Sequence, residues 1–583
     1  MRILTFIICL LLSIRPIFSK KLSYGWPVQG SKVITGSFGE FRYFYFHLGM
    51  DFATGGKIGT PILAISDGEV IRVLTNRYSI GNAIFVKHRD GFISKYGHLS
   101  AYSPKVKAKL PGVVKTFIER RVDYDFTLIE TIPVKKGEVI AYAGNTGIGP
   151  IHLHLEIMKD GIYYNPALFG INYNPNSEIV VYRLSIKPEG SKSRVNGSKQ
   201  ELILDLSRKS NGVFLPASNK KIIIEGKASV SIWGHERSGS SAKIGFQGME
   251  LFANGKMLQQ LTFHRIKSSH KYRSGLPMDN YRSSISGKPF KYYLHSRVEH
   301  GLLGYKYPQK GKGLLVEDEL ARGQNRIEVM VSGLQKEALV SFDVYRNAKK
   351  RIYTDKKPTY NVFPHKPKTI YSEDKRAKAH FPSYSVFFPD NYKLYKTSSI
   401  HISAPGMKAL SNFYTITPYC REFNLGFDLI LKLPKNIKSD KAGLYRINAG
   451  GNSISFYDSE YIKKGNFYKR ERLRTAGTYA ILEDNEKPII EMYRYKSGIN
   501  FKKNWFKLYL KVKDKGSGVR HMGLKVWVDG KETWVDYDPE GGLREVFRPR
   551  SLIYGKGNHV LTAVAIDRAG NKSDPFTFHY TVE

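Results

Sequence analysis

Short runs of β-branched and aromatic residues, cut at close intervals by Gly, Asp, Asn and Pro, leave this chain little room for a fold built from helices. Gly59-Thr60-Pro61-Ile62-Leu63-Ala64 leads to the turn pair Asp67-Gly68, and Glu69-Val70-Ile71-Arg72-Val73 follows. Ala83-Ile84-Phe85-Val86 ends at Asp90-Gly91, after which residues 92–96 return as the second arm of a hairpin. Residues 135–138 open Val139-Ile140-Ala141-Tyr142, and Gly144-Asn145-Thr146-Gly147 makes a tight loop. The same grammar recurs far downstream. Residues 249–256 turn on Asn254-Gly255 and residues 526–531 on Asp529-Gly530, favoured two-residue hairpin pairs. Leu508, Leu510 and Val512 alternate with Tyr509, Lys511 and Lys513, the pattern of a half-buried strand. The expected fold class is all-β.

At 583 residues the chain is too long for a single core. Breaks at Tyr173-Asn174-Pro175-Asn176, at the basic link Asn347-Ala348-Lys349-Lys350-Arg351 and at Asp484-Asn485-Glu486-Lys487-Pro488 divide it. The expected parts are a β-domain over 20–172, a β-sandwich over 177–347, a β-rich part over 352–484 and an immunoglobulin-like sandwich over 485–583. Met1-Arg2, an apolar run over 3–14 and Arg15-Pro16-Ile17-Phe18-Ser19 have the form of a secretory signal peptide, with cleavage expected after Ser19. No later stretch approaches the ~20 apolar residues of a spanning helix. Export leaves Cys420 as the single thiol, which rules out an internal disulfide and reads most simply as a buried apolar residue.

The formal net charge is +41, and +39 once Arg2 and Arg15 are removed with the leader. In a cytoplasmic protein such basicity suggests nucleic acid; in an exported one an anionic envelope polymer is the better partner. A lysine-rich bias spread over solvated faces is the alternative reading.

The chemistry concentrates in Ile151-His152-Leu153-His154-Leu155-Glu156. On a strand, residues two apart share a face, so His152 and His154 stand side by side. Upstream, His47-Leu48-Gly49-Met50-Asp51 offers an imidazole and a carboxylate four apart, and Lys95-Tyr96-Gly97-His98-Leu99 a further imidazole. Two histidines and one carboxylate leave the fourth position of a tetrahedral zinc for water, the pattern of a catalytic site. Zinc brings the pKa of such a water to about 7. Peptide hydrolysis further needs a base and a donor for the oxyanion, tasks suited to His98 and His152.

These motifs resemble the lysostaphin-type zinc endopeptidases of bacterial cell walls over residues 35–169. The match comprises His47-x-Gly-x-Asp51, Gly59-Thr60-Pro61 with Asp67-Gly68, Tyr96-x-His98-Leu99, and Gly144-Asn-Thr-Gly147 before His152-Leu-His154. The resemblance implies that His47, Asp51 and His154 hold Zn2+ and that His98 and His152 are catalytic. It also implies a compact β-fold of two interlocked sheets, a duplicated hybrid motif, with the zinc in a groove. Its expected substrates are peptide cross-links of peptidoglycan, between glycines or at D-Ala joined to a diamino acid. Two features depart from the pattern. Many members carry a tyrosine shortly before the first ligand, where this chain has Phe41, with Tyr43 and Tyr45 nearby. The segment 101–133 is also longer than in minimal members, as in multidomain secreted relatives with trailing β-domains, and is expected to wall the groove.

The expected function is therefore a secreted zinc metalloendopeptidase of the cell wall, in the periplasm or outside the cell. A catalytically silent envelope protein that binds wall peptides or activates another hydrolase is the alternative. His88, before the Asp90-Gly91 turn, reads as structural. His235, His264, His270, His295 and His300 lack close ligand spacing.

Overall fold

The computed structural model describes residues 23–583 except 43–44, 76–78, 113, 116–123, 148, 173–175, 210–211, 240–241, 280–289, 297–303, 307, 309–310, 347–358, 419–422, 435–438, 449, 503–505, 538–542 and 549. The expected signal peptide, Tyr43, His300 and Cys420 lie outside the described residues. Strands dominate, as the turn spacing predicts. No helix among the described residues is long and apolar enough to cross a membrane.

In the N-terminal module the main sheet is antiparallel. Its order is Ile34–Gly36, Met50–Ala53, His152–Lys159, Ile93–Gly97, Ala83–His88, Gly68–Thr75 and Tyr124–Val134. Pro61–Leu63, Val139–Ala143 and Leu99–Tyr102 form a second, smaller sheet. Side chains from both, among them Ile62, Ile140, Leu99, Val86, Leu153 and Leu155, meet in one buried cluster. Wholly buried Tyr96 also ties the sheets together: its hydroxyl accepts the amide of Ile65 at 3.0 Å. Burial pushes its pKa up to about 12, so it remains a neutral phenol.

The described strand of the long insertion, Tyr124–Val134, pairs with Gly68–Thr75, and three strands separate it from His152–Lys159. It closes a sheet edge away from the histidines instead of walling them. The backbone groups left open on Gly68–Thr75 are the reason, since an uncovered edge invites unwanted pairing.

Residues 178–346 build a larger, mainly antiparallel sheet system around a second cluster that includes Val230, Ile232, Leu251, Val329, Val331 and Val340. Its hairpin between Gly248–Ala253 and Lys256–Thr262 turns on Asn254 and Gly255 with φ of +49° and +77°. The C-terminal hairpin between Val519–Val528 and Lys531–Tyr537 repeats this at Asp529 and Gly530, with φ of +50° and +75°. Two successive left-handed residues match the twist of the flanking strands, which is why Asn-Gly and Asp-Gly serve there.

The first two modules are not separate cores. Phe38, Phe46 and Leu48, from the stretch leading to the first histidine, are buried in the second cluster, while Ile244 and Leu334 are buried in the first. Strand Ile162–Tyr164 pairs with His152–Lys159 on one side and with Arg265–Lys267 on the other. A third cluster spans residues 362–481, and a fourth spans residues 490–582, where eight strands share one hydrogen-bonded order.

At the start of the C-terminal module, Asp514 Oδ1 accepts the amides of Gly516 and Gly518, whereas its buried Oδ2 has no hydrogen-bond partner. Burial and the carboxylates of Asp484 and Asp567 push its pKa up to about 6. A carboxyl raised on folding contributes stability that is complete below its unfolded pKa of about 3.9 and is lost as pH rises through about 6. Asp514→Asn, which keeps the Oδ1 acceptor, is therefore expected to raise the melting temperature of this module at pH 7, with the gain vanishing below about pH 4. Thermal melts of both proteins across that range check it; a gain independent of pH would contradict the assignment.

Candidate metal centre

Strand register brings the site together. Met50–Ala53 pairs with His152–Lys159 so that Asp51 lies directly opposite His154, and Gly97 faces His154 from the other neighbouring strand. Along His152–Lys159, Leu153, Leu155 and Ile157 enter the core, which sends His152, His154 and Glu156 to the opposite face. His47 arrives from the short hairpin of Phe41–Arg42 and Tyr45–Phe46. Gly49 lets this segment pass: a Cβ there would lie 2.5 Å from the Leu155 carbonyl oxygen and 2.7 Å from His154 Nε2. The glycine in His47-Leu48-Gly49-Met50-Asp51 is thus a matter of space.

His47, Asp51 and His154 are all buried, and one nitrogen or oxygen of each converges on a common point. His47 Nε2 is 3.0 Å from His154 Nδ1 and 3.2 Å from Asp51 Oδ1, and the third side, His154 Nδ1 to Asp51 Oδ1, is 2.8 Å. The outer ring nitrogens fix the tautomers. His47 Nδ1 lies 2.8 Å from the Ser37 carbonyl oxygen, which can only accept, so the proton sits on Nδ1 and Nε2 is bare. His154 has a carboxylate at each ring nitrogen, Glu156 Oε1 3.1 Å from Nε2 and Asp51 Oδ1 2.8 Å from Nδ1; in the neutral tautomer that donates to Glu156, Nδ1 is bare. In these tautomers three lone-pair donors face one another. Such a set suits a cation. The sides are close to the ~3.3 Å edge of a tetrahedron with bonds of ~2.0–2.1 Å, and two imidazoles with one carboxylate suit zinc.

The surrounding charge points the same way. Burial disfavours a charge on His154, but Asp51 and Glu156 outweigh it and raise its pKa. Burial likewise works against the Asp51 carboxylate, yet His47 and Arg42 hold it well below the usual range. Glu156, also buried, is pushed down to about 2 because Lys95 at 3.0 Å and His154 outweigh its desolvation.

His98 and His152 complete a ring of four imidazoles. Their ring centroids are 4.4 Å apart, and the His98 ring is 5.9 Å from that of His154. His98 Nδ1 donates to the Thr146 carbonyl at 2.8 Å and His152 Nδ1 to the Pro150 carbonyl at 2.5 Å, leaving both Nε2 atoms as acceptors. His152 Nε2 lies 3.6 Å from Asp51 Oδ1. Burial, with His152 and His154 beside it, pushes His98 down to about 3, and burial also lowers His152, so both rings are neutral at pH 7. His98 has φ of +60°, an uncommon conformation for a residue other than glycine, held by its amide bond to the Ile80 carbonyl at 2.8 Å.

All five residues singled out in the sequence are thus within one constellation. Sequence reading missed the groups around it. Arg42 donates to Asp51 Oδ2 at 2.6 Å and to Glu40 Oε1 at 2.8 Å, leaving Asp51 Oδ1 for the cluster. Glu156 was in view at the end of the His-Leu-His-Leu-Glu run. Its period-two spacing from His154 was the available signal, and its opposite number Lys95 needed the register. Nothing local marks Arg42. Tyr45 is turned toward Tyr272 and Lys271 of the second module, so it does not take up the family tyrosine's place at the cluster. His88 is structural, held between the Asp67 carbonyl at 3.0 Å and Ser94 Oγ at 2.7 Å. Among the described residues, the histidines of the second module form no metal-holding group.

Residues 45–112 match the model of peptidase family M23. The peptidoglycan DD-endopeptidase ShyC of Vibrio cholerae is 34% identical over 122 residues, 21% of this chain and 22% of that protein. The murein hydrolase activator NlpD of Escherichia coli is 29% identical over 147 residues, 25% of this chain and 31% of that protein. A zinc-containing peptidase of Vibrio cholerae of known structure is 28% identical over 23% of this chain and 36% of that one, with a TM-score of 0.18. The chain spans at most 36% of the length of these three relatives. The matched residues 45–112 carry His47, Asp51 and His98. The likeness to peptidase family M23, the lysostaphin type, thus falls on the N-terminal module.

Proposed function

We propose that this protein is an exported zinc metalloendopeptidase that hydrolyses peptide cross-links of bacterial peptidoglycan. The observation that carries the reading is the triangle of bare lone pairs from His47, Asp51 and His154, with two further neutral imidazoles beside it. In this reading His47, Asp51 and His154 hold the ion. Zinc in such a site polarises a scissile carbonyl and acidifies water at neutral pH. The remaining roles belong to the chain's own side chains. His98 and His152 keep Nε2 as an acceptor beside the cluster while their Nδ1 protons are tied to backbone carbonyls. Each can accept a proton at Nε2 and hand it on, or as imidazolium donate to a developing oxyanion. Burial lowers the basicity of both rings, which keeps them unprotonated before substrate arrives. Glu156 and Ser37 fix the ligand tautomers, and Lys95 balances the Glu156 charge. The downstream modules carry most of the excess positive charge, which favours retention on an anionic envelope polymer.

The likeness to a murein hydrolase activator supports a second reading, in which the same domain binds wall peptides and stimulates another hydrolase. The complete His47, Asp51, His98, His152 and His154 set favours the enzyme.

Incubation of the protein with purified sacculi, followed by mass spectrometry of the muropeptides, decides between them. Conversion of cross-linked dimers to monomers is expected, abolished by chelator, restored by zinc and lost in His154→Ala. Silence of a folded, zinc-loaded protein would favour the activator reading. His98→Ala and His152→Ala are expected to keep one zinc per chain while turnover falls about 10²–10⁴-fold. Metal analysis beside the rate measurement checks this, and loss of zinc in either variant would move that histidine among the ligands.

A further inference from the structure

The loop that carries His47 to the cluster rests on the second module, not on its own. Phe38 and Phe46 are wholly buried there, and Leu48 nearly so. Phe263 of the second module lies flat against Gly39, where a Cβ would come within 2.7 Å of its ring. The Phe46 amide donates to the Lys271 carbonyl at 2.8 Å. Polar contacts run from the same junction straight to two of the three metal-facing residues. Gly245 of the second module gives its amide to Glu40 Oε2 at 3.3 Å, and its carbonyl lies 3.1 Å from Ser37 Oγ. Ser37 in turn presents its amide to Glu40 Oε2 at 2.9 Å and its carbonyl to His47 Nδ1 at 2.8 Å. Glu40 Oε1 takes Arg42 Nε at 2.8 Å, and Arg42 takes Asp51 Oδ2 at 2.6 Å. The Glu40 carbonyl receives the His47 amide, and the His47 carbonyl receives the Gly39 amide, both at 2.8 Å.

A buried carboxylate costs several kcal/mol unless it is paired and hydrogen-bonded. Glu40, 5% exposed, meets that condition with Arg42 and the Ser37 amide and hydroxyl on its own side of the junction and the Gly245 amide on the other. Arg42 is held by two carboxylates at once, which fixes a side chain that is otherwise partly open to solvent. Gly36 makes room for the pair: a Cβ there would meet Arg42 Nη2 at 2.4 Å and Asp51 Oδ2 at 2.5 Å.

We propose that the second module is a working part of the metal centre. Gly245 holds Glu40 and Ser37, Glu40 holds Arg42, and Arg42 occupies the outer oxygen of Asp51 so that its other oxygen faces His47 and His154. Glu40 and Arg42 are positioning residues, and the domain junction sets metal affinity. This rests on the reading above that the cluster holds zinc.

The test uses the full chain and measures zinc affinity by competition with a chromophoric chelator, together with the visible absorption of the cobalt-substituted protein, which reports coordination geometry. Gly245→Ala carries no charge and touches no ligand, but its Cβ would stand 2.9 Å from Glu40 Cβ and 3.2 Å from Ser37 Oγ. Glu40→Gln keeps shape and volume and removes the charge facing Arg42. Each is expected to weaken zinc binding about 10–100-fold, the range seen when groups that orient metal ligands are lost, and to alter the cobalt spectrum. Arg42→Lys is expected to recover part of what Arg42→Ala loses. Ile266→Val, in the seam strand but outside this relay, is expected to bind zinc as the parent does. Melting of the zinc-free proteins shows which variants fold; should Gly245→Ala not fold, the isosteric Glu40→Gln decides. Affinities within twofold of the parent and an unchanged cobalt spectrum in the folded variants would overturn the proposal. A parent chain that binds no zinc would instead overturn the reading of the cluster itself.

Discussion

Everything at the candidate centre follows from one constraint: three lone pairs buried at 2.8–3.2 Å from one another, with their protons drawn off in the opposite direction. Left to itself such a cluster is electrostatically costly, because buried acceptors need donors and a buried carboxylate needs positive charge. The fold meets the cost from outside inward. A backbone carbonyl takes the His47 proton, Glu156 takes that of His154, and Arg42 takes half of Asp51. What remains is a small region of negative potential shaped for a cation. The sheet contributes rigidity, since Asp51, His154 and Gly97 lie in one cross-strand row, and a slip of one residue would send His154 into the core and Leu153 or Leu155 out.

The sequence made much of this legible, and for a physical reason. A strand's period of two is exact, so His152-Leu153-His154 declares which side chains share a face without any knowledge of the neighbours. Turn pairs with positive φ are equally local, and Asn254-Gly255 and Asp529-Gly530 fold as their chemistry requires. What stayed hidden depends on register and on long-range docking. Lys95 and Glu156 meet because two strands sixty residues apart align, and neither residue is unusual in its own neighbourhood. Arg42 looks like any solvated arginine until Gly36 and Asp51 are placed around it. The described strand of the inserted segment, expected beside the groove, closes a sheet edge away from the histidines instead, because open backbone groups on Gly68–Thr75 compete for it and composition does not reveal which edge is free.

The hardest feature to foresee was the junction. Phe38, Phe46 and Leu48 sit inside the stretch that bears the histidine–glycine–aspartate motif, and by pattern they belong to the first core. They fill the second. An apolar residue in a sequence announces that it will be buried, not against what. The consequence is that the boundary between modules, which a linker at residues 173–176 suggests, is crossed by side chains from the loop that carries His47, by a strand pair and by the Glu40–Gly245 hydrogen bond.

That crossing bears on how a chain with trailing β-modules differs from a minimal peptidase domain. Appended modules are commonly pictured as anchors joined by tethers, and a strongly basic surface suits such a role. A tether leaves the chemistry untouched when it moves. Here the module nearest the centre supplies the floor on which the His47 loop lies, and Ser37 and Glu40 are among the residues it touches directly. Both residues are one contact from a metal-facing side chain or its partner. Tyr272 carries the same dependence outward, for its ring is covered by Arg474 of the third cluster on one side and approached by Tyr45 on the other. The packed side chains of the junction are therefore the route by which a displacement of the second module would reach the cluster, and only as far as it shifts that packing.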